Sequence, residues 1–375
     1  MRVATLRFDS ALGWSAPFPE VDPDRSFTLC FGASSYFDDP EPIRELAVGV
    51  GGALIGCSTS GEIHGQEVAD GSLSVAVVEF DATAVRSVAE PISAGSSRAA
   101  GLALGQRLAD GPLRAVFVLS DGLQVNGSEL VRGITAAVPE GVVVTGGLAG
   151  DGSRFQRTWV IVDGKPASGF VTAIGLYGDA VRVGHGSKGG WDKFGPERTV
   201  TRSVGNVVYE LDGRPVLALY QEYLGSLAAE LPASGLLFPL AVREPGSNKQ
   251  LVRTILGVDA AAQSLTFAGD VPQGHRVQLM QANLHRLIDG AEDAAGAALQ
   301  RSGATVSLAI AVSCVGRRLV LGAMTEDELE ATSHLLPPDV AQVGFYSYGE
   351  ISPYAKGPAD LHNQTMTITT IGEST

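Results

Sequence analysis

The sequence contains two copies of one eight-residue pattern, and this repeat constrains the fold more than any other feature. Residues 56–63 read GCSTSGEI and residues 344–351 read GFYSYGEI, so both copies fit G-x-x-[ST]-x-G-E-I. A predicted strand that ends at residues 32–33 and then a helix precede the first copy; a predicted strand that ends at 322–323 and then a helix precede the second. Either glycines have aligned by chance, or both halves contain a related strand–helix–strand unit whose equivalent loops face one cleft.

The length of the chain predicts two domains. A chain of 375 residues is too long for one ordinary core, and domains of about 150–200 residues are the usual solution. The segment 184–215 is rich in glycine and charge, so we place the boundary there and predict an N-terminal domain over 1–205 and a C-terminal domain over 206–375.

The predicted fold class is α/β and α+β, with two mixed-sheet halves, helices packed on the sheets, and an internal pseudo-repeat. In the first half, short apolar runs typical of buried strands (27–33, 54–57, 115–119 and 142–145) alternate with helical segments. The turn pair Asp163-Gly164 predicts a hairpin of 156–163 with 168–177. The second half has a long amphipathic helix over 281–301, strands at 305–312 and 318–321, and a helix over 326–335.

Composition argues against several classes of partner. The formal net charge of −14 repels phosphate backbones and anionic lipids, so nucleic acid and membranes are poor partners. The longest apolar stretch, 45–57, is shorter than the ~20 residues of a membrane span, and we expect a cytoplasmic protein. The cysteines at 30, 57 and 314 form no CxxC motif, so neither a disulfide framework nor a metal site is expected.

Four glycine-rich polar segments follow predicted buried strands: 56–65, 120–129, 146–155 and 344–353. Ligands of α/β sheets bind beyond the carboxyl ends of strands, where glycine frees backbone N–H groups for a carboxylate or phosphate. The segment GGLAGDG has neither GxGxxG spacing nor a Walker lysine, so nucleotide binding is weakly supported. For each segment, a purely structural turn is the alternative.

Several side chains in and near these segments are candidates for ligand binding. Glu62 and Glu350 could accept hydrogen bonds from a ligand ammonium group, and Arg317 could hold a carboxylate in a bidentate fork. Alternatively, the acids bond the backbone of their own turns. The predicted ligand-binding residues are Cys57, Ser58, Thr59, Gly61, Glu62, Asp121, Gly146, Gly147, Asp151, Arg317, Tyr346, Tyr348, Glu350 and His362.

Two alternatives to a simple binding protein depend on single residues. Cys57 could be the nucleophile of a thiol-dependent hydrolase, but no histidine with a supporting acid accompanies it, so we expect no enzyme. His362, His185, His64 or a cysteine could be an axial ligand if haem is bound; otherwise no cofactor is expected.

Together these motifs resemble the FIST domains of bacterial signal-transduction proteins. In order along the chain, the segments that carry the resemblance are 56–63, 120–134, 146–158, 211–225, 311–322, 344–353 and 361–373. The resemblance implies an N-terminal and a C-terminal FIST domain that form a sensor of a small ligand, an amino acid or similar metabolite. It also implies signal transduction through a separate histidine kinase or cyclase, because the chain has no room for an output domain. Some stand-alone members bind haem and sense nitric oxide, which is the second interpretation.

Overall fold

The computed structural model describes residues 1–247, 249–303, 306–354 and 357–374. The N-terminal part holds one helix among seven strands: β1 (Arg2–Asp9), β2 (Gly13–Trp14), β3 (Ser26–Gly32), α1 (Glu41–Gly49), β4 (Ala53–Ser58), β5 (Glu62–His64), β6 (Glu67–Ala69) and β7 (Leu73–Glu79). The next part holds β8 (Ala84–Pro91), α2 (Ser97–Leu108), β9 (Leu113–Ser120), α3 (Gly127–Ala137), β10 (Val143–Leu148), β11 (Val160–Val162), β12 (Lys165–Ala167), β13 (Phe170–Tyr177) and β14 (Val181–Lys188).

The remaining elements fall into a mainly β segment and a final α/β segment. The β segment contains β15 (Asp192–Val204), β16 (Val207–Leu211), β17 (Arg214–Pro215), α4 (Val216–Leu224), β18 (Leu240–Arg243), β19 (Gln250–Arg253), β20 (Ile255–Asp259), β21 (Ser264–Phe267) and β22 (Arg276–Gln281). The final segment contains α5 (Leu284–Ser302), β23 (Leu308–Cys314), α6 (Val315–Leu321), α7 (Thr325–Leu335), β24 (Ala341–Ser347), β25 (Gly349–Pro353), β26 (Ala359–His362) and β27 (Met366–Glu373).

Three of the sheets share one strand order, which defines three related units. In each unit two parallel strands lie side by side, a third strand runs antiparallel beside the first, and a fourth forms the outer position. Unit 1 uses β1, β7, β3 and β4, unit 2 uses β8, β13, β9 and β10, and unit 3 uses β14, β27, β23 and β24. The pseudo-repeat predicted from the two GEI copies is therefore present, but it occurs three times rather than twice.

Each unit completes its sheet with a hairpin that belongs to another unit. The hairpin β5–β6 leaves unit 1 and pairs with β24 of unit 3. The hairpin β25–β26 leaves unit 3 and pairs with β10 of unit 2, and β11–β12 leaves unit 2 and pairs with β4 of unit 1. This exchange forms a closed cycle, so each of the three sheets depends on residues distant in sequence.

Backbone hydrogen bonds at equivalent positions close the cycle at its centre. Each bond runs from the residue four places after an equivalent glycine (56, 146 or 344) to the carbonyl two places after the next one. The three bonds are Ser60 N to Tyr346 O (2.8 Å), Tyr348 N to Leu148 O (3.1 Å) and Gly150 N to Ser58 O (2.9 Å). We call them the central ring.

Close packing of the parallel strands explains the first glycine of the pattern. A Cβ atom at Gly56, Gly146 or Gly344 would collide with a carbonyl oxygen of the neighbouring parallel strand. Only glycine therefore lets the second strand approach the first at these points.

A shared hydrophobic core fills the space between the three sheets. Phe31 of unit 1 stacks on Phe345 of unit 3 with ring centroids 4.8 Å apart, and Phe117 of unit 2 lies in the same cluster. The helices cover the outer faces. In α5, for example, Leu287, Ala291, Ala294, Ala295 and Ala298 recur at helical spacing and are fully buried.

Residues 192–281, here called the inserted domain, lie between β14 and α5 of unit 3 and form a sheet of their own. Its strand order is β19-β18-β22-β15-β16-β21-β20, with β17 paired to β16. Its hydrophobic core is separate and includes Tyr220 and Phe267, both fully buried. The inserted domain is therefore a compact body attached to the three units through two short connections.

Most predicted elements are confirmed. The strands predicted at 27–33, 54–57, 115–119 and 142–145 correspond to β3, β4, β9 and β10, and the helix at 326–335 is α7. The helix predicted over 281–301 begins three residues later, where Asn283 caps α5 through the N–H of Arg286. Mixed sheets with helices packed on them agree with the predicted fold class.

Two predictions of local structure are wrong. Residues 318–321 belong to α6 rather than to a strand, because the strand of unit 3 already ends at Cys314. The Asp163-Gly164 turn does form, with φ values of 49° and 73°. However, it joins β11 to β12, whereas residues 170–177 pair with β8 and β9. Among the described residues, no helix is both long enough and apolar enough to cross a membrane.

We predict that fragments 1–205 and 206–375 do not fold independently. The first fragment would contain β14 without its partner β27 and β5 without its partner β24. The second would contain β27 and β24 without those partners, so both fragments would expose unpaired strand edges. Thermal melting of each purified fragment should be less cooperative than that of the whole chain, and mixing the two should restore a cooperative transition. Two soluble fragments that each melt as sharply as the parent chain would contradict the prediction.

Candidate functional site

The echoed acids Glu62 and Glu350 make the same contacts in their two units. Glu62 accepts hydrogen bonds from the Thr59 hydroxyl and from the backbone N–H and hydroxyl of Ser72, the latter two at 3.0 Å. Glu350 accepts from the Ser347 hydroxyl (2.7 Å) and from the N–H (3.2 Å) and hydroxyl (2.8 Å) of Thr365. Each carboxylate therefore clamps the loop that leads into the third strand of its unit. Burial raises the pKa of Glu62 to about 7 and that of Glu350 to about 8.

In unit 2, two aspartates accept hydrogen bonds from loop N–H groups in a comparable way. Asp121 accepts hydrogen bonds from the N–H of Gly169, which leads into β13, and from two N–H groups of its own turn. Asp151 accepts three consecutive N–H groups, those of residues 155–157, at 2.9–3.0 Å, and also the Tyr348 hydroxyl. Burial raises the pKa of Asp151, but the Tyr348 hydroxyl and these N–H groups outweigh it and lower the pKa overall.

Arg317 is fully buried and joins the inserted domain to the body of unit 3. Its guanidinium donates to Glu328 at 2.7 and 3.0 Å, and this carboxylate is also fully buried. It also donates to the carbonyl of Gly189 (2.5 Å), just before the inserted domain, and to that of Leu287 (2.7 Å), just after it. Glu328 in turn accepts the hydroxyl of Tyr346 at 2.7 Å. Arg317 therefore ties both connections of the inserted domain to α7 and, through Tyr346, to the central ring.

Cys57 and its neighbours lie in the interior rather than beside a cleft. The Cys57 thiol is fully buried in the shared core, and burial raises its pKa well above the usual value. Neither property suits a nucleophile, which must be accessible and ionised. The Ser58 hydroxyl accepts the backbone N–H of Trp159 at 3.0 Å. A Cβ atom would meet the Arg318 guanidinium at Gly61, the Val118 carbonyl at Gly146, and the side chains of Val312 and Phe345 at Gly147.

The three histidines considered as metal ligands differ in their surroundings. His362 is buried and its Nε2 contacts the Ser352 carbonyl at 2.9 Å, while Nδ1 of His64 contacts the Ser74 hydroxyl at 3.2 Å. His185 has no side-chain hydrogen bond to the described residues, and it lines a cleft of about 710 Å³. Burial lowers the pKa of His185 to about 4, so this imidazole is neutral near pH 7. Among the described residues, no three histidine, cysteine or acidic side chains cluster as metal ligands would.

A cleft of about 240 Å³ separates the inserted domain from α3 and β26 of the three-unit body. We call it the charged cleft, because cationic and anionic side chains meet in it. The titratable and hydroxyl residues that line it are Ser128, Arg132, Glu244, Lys249, Arg253, Asp270, His275 and Asp360.

Arg253 is the most unusual of these residues. Its side chain is buried and donates only to backbone carbonyls, those of Asp270 (3.1 Å), Val252 (3.1 Å) and Leu361 (3.0 Å). Within the described part of the chain no carboxylate lies within 4.0 Å of it, and its Nη2 makes no hydrogen bond. Burial lowers the pKa of Arg253 to about 10. Asp360 and Asp270 act on this guanidinium from a distance and offset only part of the effect of burial, and a buried cation without a carboxylate in contact is costly.

Comparison with known proteins identifies the family. A model of the FIST N domain matches residues 26–214, and a model of the FIST C domain matches residues 217–353. The chain belongs to the FIST family. FIST domains are sensory domains of signal-transduction proteins, so a sensory role agrees with the family.

Other comparisons add little to the FIST assignment. No curated protein matches the chain. One solved structure, a crystal structure of cyanuric acid hydrolase from A. caulinodans, is 12% identical, with 78% of this chain and 100% of that chain covered. Its TM-score is 0.19, so no structural or functional inference follows from it.

The predicted site residues of the FIST chain lie at several places and bond within the protein: the acids hold loops near the central ring, Arg317 holds the base of the inserted domain, and His362 contacts β25. The acids, Arg317 and Tyr346 already have protein partners, and their predicted contact with a ligand stays a prediction. The charged cleft could not be found from the sequence, because it forms between the inserted domain, α3 of unit 2 and β26 of unit 3. Its only local signal is an arginine at the end of the short strand QLVR, which resembles an ordinary surface position.

We predict that Arg317→Ala lowers the free energy of unfolding by about 3–5 kcal/mol, because it leaves the buried Glu328 carboxylate unpaired. Arg114 is the control, since it pairs with Asp179 at the surface and both side chains are exposed, and Arg114→Ala should cost no more than about 1 kcal/mol. Guanidinium denaturation of both variants measures the difference. Equal and small losses would show that the buried pair is not needed to hold the fold.

Proposed function

We propose that this FIST protein is a sensor whose ligand is a free amino acid, or a metabolite with the same paired charges, bound in the charged cleft. The observation that carries the proposal is Arg253, a buried guanidinium that lines the cleft without a carboxylate partner among the described residues. Arginine matches a carboxylate in a planar fork, so a ligand carboxylate would supply the absent charge.

The lining of the charged cleft also suits the second charge of an amino acid. Asp270 pairs with Arg132 at 3.0 Å and Asp360 pairs with Lys249, and the remaining lone pairs of these carboxylates on the same cleft can accept hydrogen bonds from an ammonium group. Ser128 lies in the first turn of α3, and its buried hydroxyl has no partner among the described residues. This hydroxyl and the positive end of the helix both favour a carboxylate. The volume of about 240 Å³ suits a small metabolite rather than a nucleotide or a peptide.

A ligand in this cleft would bridge two bodies and so report its presence as a change of shape. One wall comes from the inserted domain and the other from α3 of unit 2 and β26 of unit 3. A ligand that contacts both walls stabilises the arrangement in which they are close together. A separate histidine kinase or cyclase would then read that arrangement.

We predict that one or more of the twenty amino acids raises the melting temperature of the chain, and that Arg253→Lys weakens its binding at least thirtyfold. The loss corresponds to about 2 kcal/mol, because lysine keeps the charge but cannot form the fork. Isothermal calorimetry measures the affinity, after circular dichroism confirms that the variant is folded. Arg182→Ala is the control, because Arg182 also bonds only to backbone carbonyls but lies at the surface. Failure of the whole panel to stabilise the chain, or parental affinity in Arg253→Lys, would overturn the proposal.

A second candidate function, haem-based sensing of nitric oxide, is favoured by the surroundings of His185. This neutral imidazole lines the cleft of about 710 Å³, whose opposite wall is largely valine and proline from residues 138–144. Arg301 lines the same cleft and could bind a propionate, so the residues present fit the group. Bound haem iron would supply the site at which the gas binds.

Haem binding has a direct spectroscopic test. Reconstitution of the purified chain with haemin should give a Soret band if this candidate is right, and His185→Ala should remove it. His64→Ala should retain the band, because His64 contacts Ser74 rather than this cleft. Absence of a Soret band in the parent, or its persistence in His185→Ala, would exclude His185 as a residue that holds the haem.

A further inference from the structure

We infer that the chain has a second ligand site, for a small anion with a planar aromatic ring, in a cleft on the other face of β19. This cleft measures about 470 Å³ and lies where β14 and α5 of unit 3 meet the inserted domain. We call it the cationic cleft. The inference does not depend on the amino acid proposed for the charged cleft.

Strand β19 separates the two clefts. Side chains alternate between the faces of a strand, and here Gln250 and Val252 line the cationic cleft while Lys249, Leu251 and Arg253 line the charged cleft. The two clefts are therefore distinct sites that share one wall.

The charged side chains among the described residues that line the cationic cleft are all positive. Lys188 and Arg301 line it, and neither lies within 4.0 Å of a carboxylate in the described part of the chain. No acidic residue is among the described residues that line it, whereas three acids line the charged cleft. In a chain with a formal net charge of −14, such a cleft is a local positive region. It therefore favours an anion over the zwitterion that suits the charged cleft.

Aromatic side chains give the cationic cleft its second property. The Trp191 indole lines the cleft and is held in place, because its N–H donates to the Gln364 carbonyl at 2.8 Å. Tyr354 and His362 also line it, with their rings nearly parallel at 12°. Trp191 and His362 are largely buried and Tyr354 is half-buried, so Tyr354 offers most of the ring surface on which a planar ligand can stack. A ligand that carries both an anionic group and an aromatic ring would use both properties.

The anionic group could be a carboxylate or a phosphate, and calorimetry on the full chain distinguishes them. The probes are 1-naphthoate and adenosine monophosphate, with adenosine as the ring alone and inorganic phosphate as the charge alone. We expect at least one of the first two probes to bind at least about tenfold more tightly than either single-property probe. Whichever of the two binds more tightly identifies the class of anion.

Variants test the location of the site. Lys188→Gln and Arg301→Gln should each weaken binding of the tighter probe by about tenfold. Lys165→Gln is the matched control, because Lys165 also has no carboxylate partner among the described residues but lies in β12, away from the cleft. Arg253→Lys should leave this binding unchanged even if it abolishes amino-acid binding, so the two proposals can fail separately.

Three results would overturn the inference. The first is that neither ring-bearing anion binds at millimolar concentration. The second is parental affinity in both Lys188→Gln and Arg301→Gln. The third is an equal loss of affinity in Lys165→Gln, which would show attraction to surface charge in general rather than to this cleft.

Discussion

The central ring of three backbone hydrogen bonds is the interaction on which the rest of the structure depends. Each bond links two units, and each donor lies between the second parallel strand of its unit and the hairpin that crosses into another unit. If one unit moved away, it would lose its ring bonds, the hairpin it receives and its share of the common core at once. The three units therefore form one cooperative body, although each has the strand order of a small sheet.

The acidic residues near the central ring explain the structural role of the repeated GEI pattern. Glu62 and Glu350 clamp equivalent loops through equivalent hydroxyl and N–H donors, and unit 2 reaches a similar result with Asp121. A buried carboxylate that accepts several hydrogen bonds orders the loop that it caps. The repeat is thus explained by the architecture alone, whether or not a ligand also approaches these loops.

The two clefts proposed to bind ligands lie where the three-unit body meets the inserted domain rather than at the central ring. The charged cleft and the cationic cleft lie on opposite faces of β19, and Arg317 holds both connections of the inserted domain to α7. This placement suits a sensor, because a ligand that contacts both bodies stabilises the arrangement in which they lie close together. The buried Arg317–Glu328 pair holds the base of the inserted domain, and β19, the edge strand of its sheet, lines both clefts.

The sequence by itself determined the local elements and the existence of a repeat. Apolar runs located β3, β4, β9 and β10, helical spacing located α5 and α7, and the two GEI copies revealed related units, because all these signals lie within a few residues. Residues 318–321 were misassigned because a short apolar run does not distinguish a strand from a buried helix. Only the tertiary structure decided which sheet each hairpin joins, that a third unit without the GEI pattern completes the cycle, and that Arg253 faces a cleft. Those features depend on contacts between residues more than a hundred positions apart, and no local pattern records such contacts.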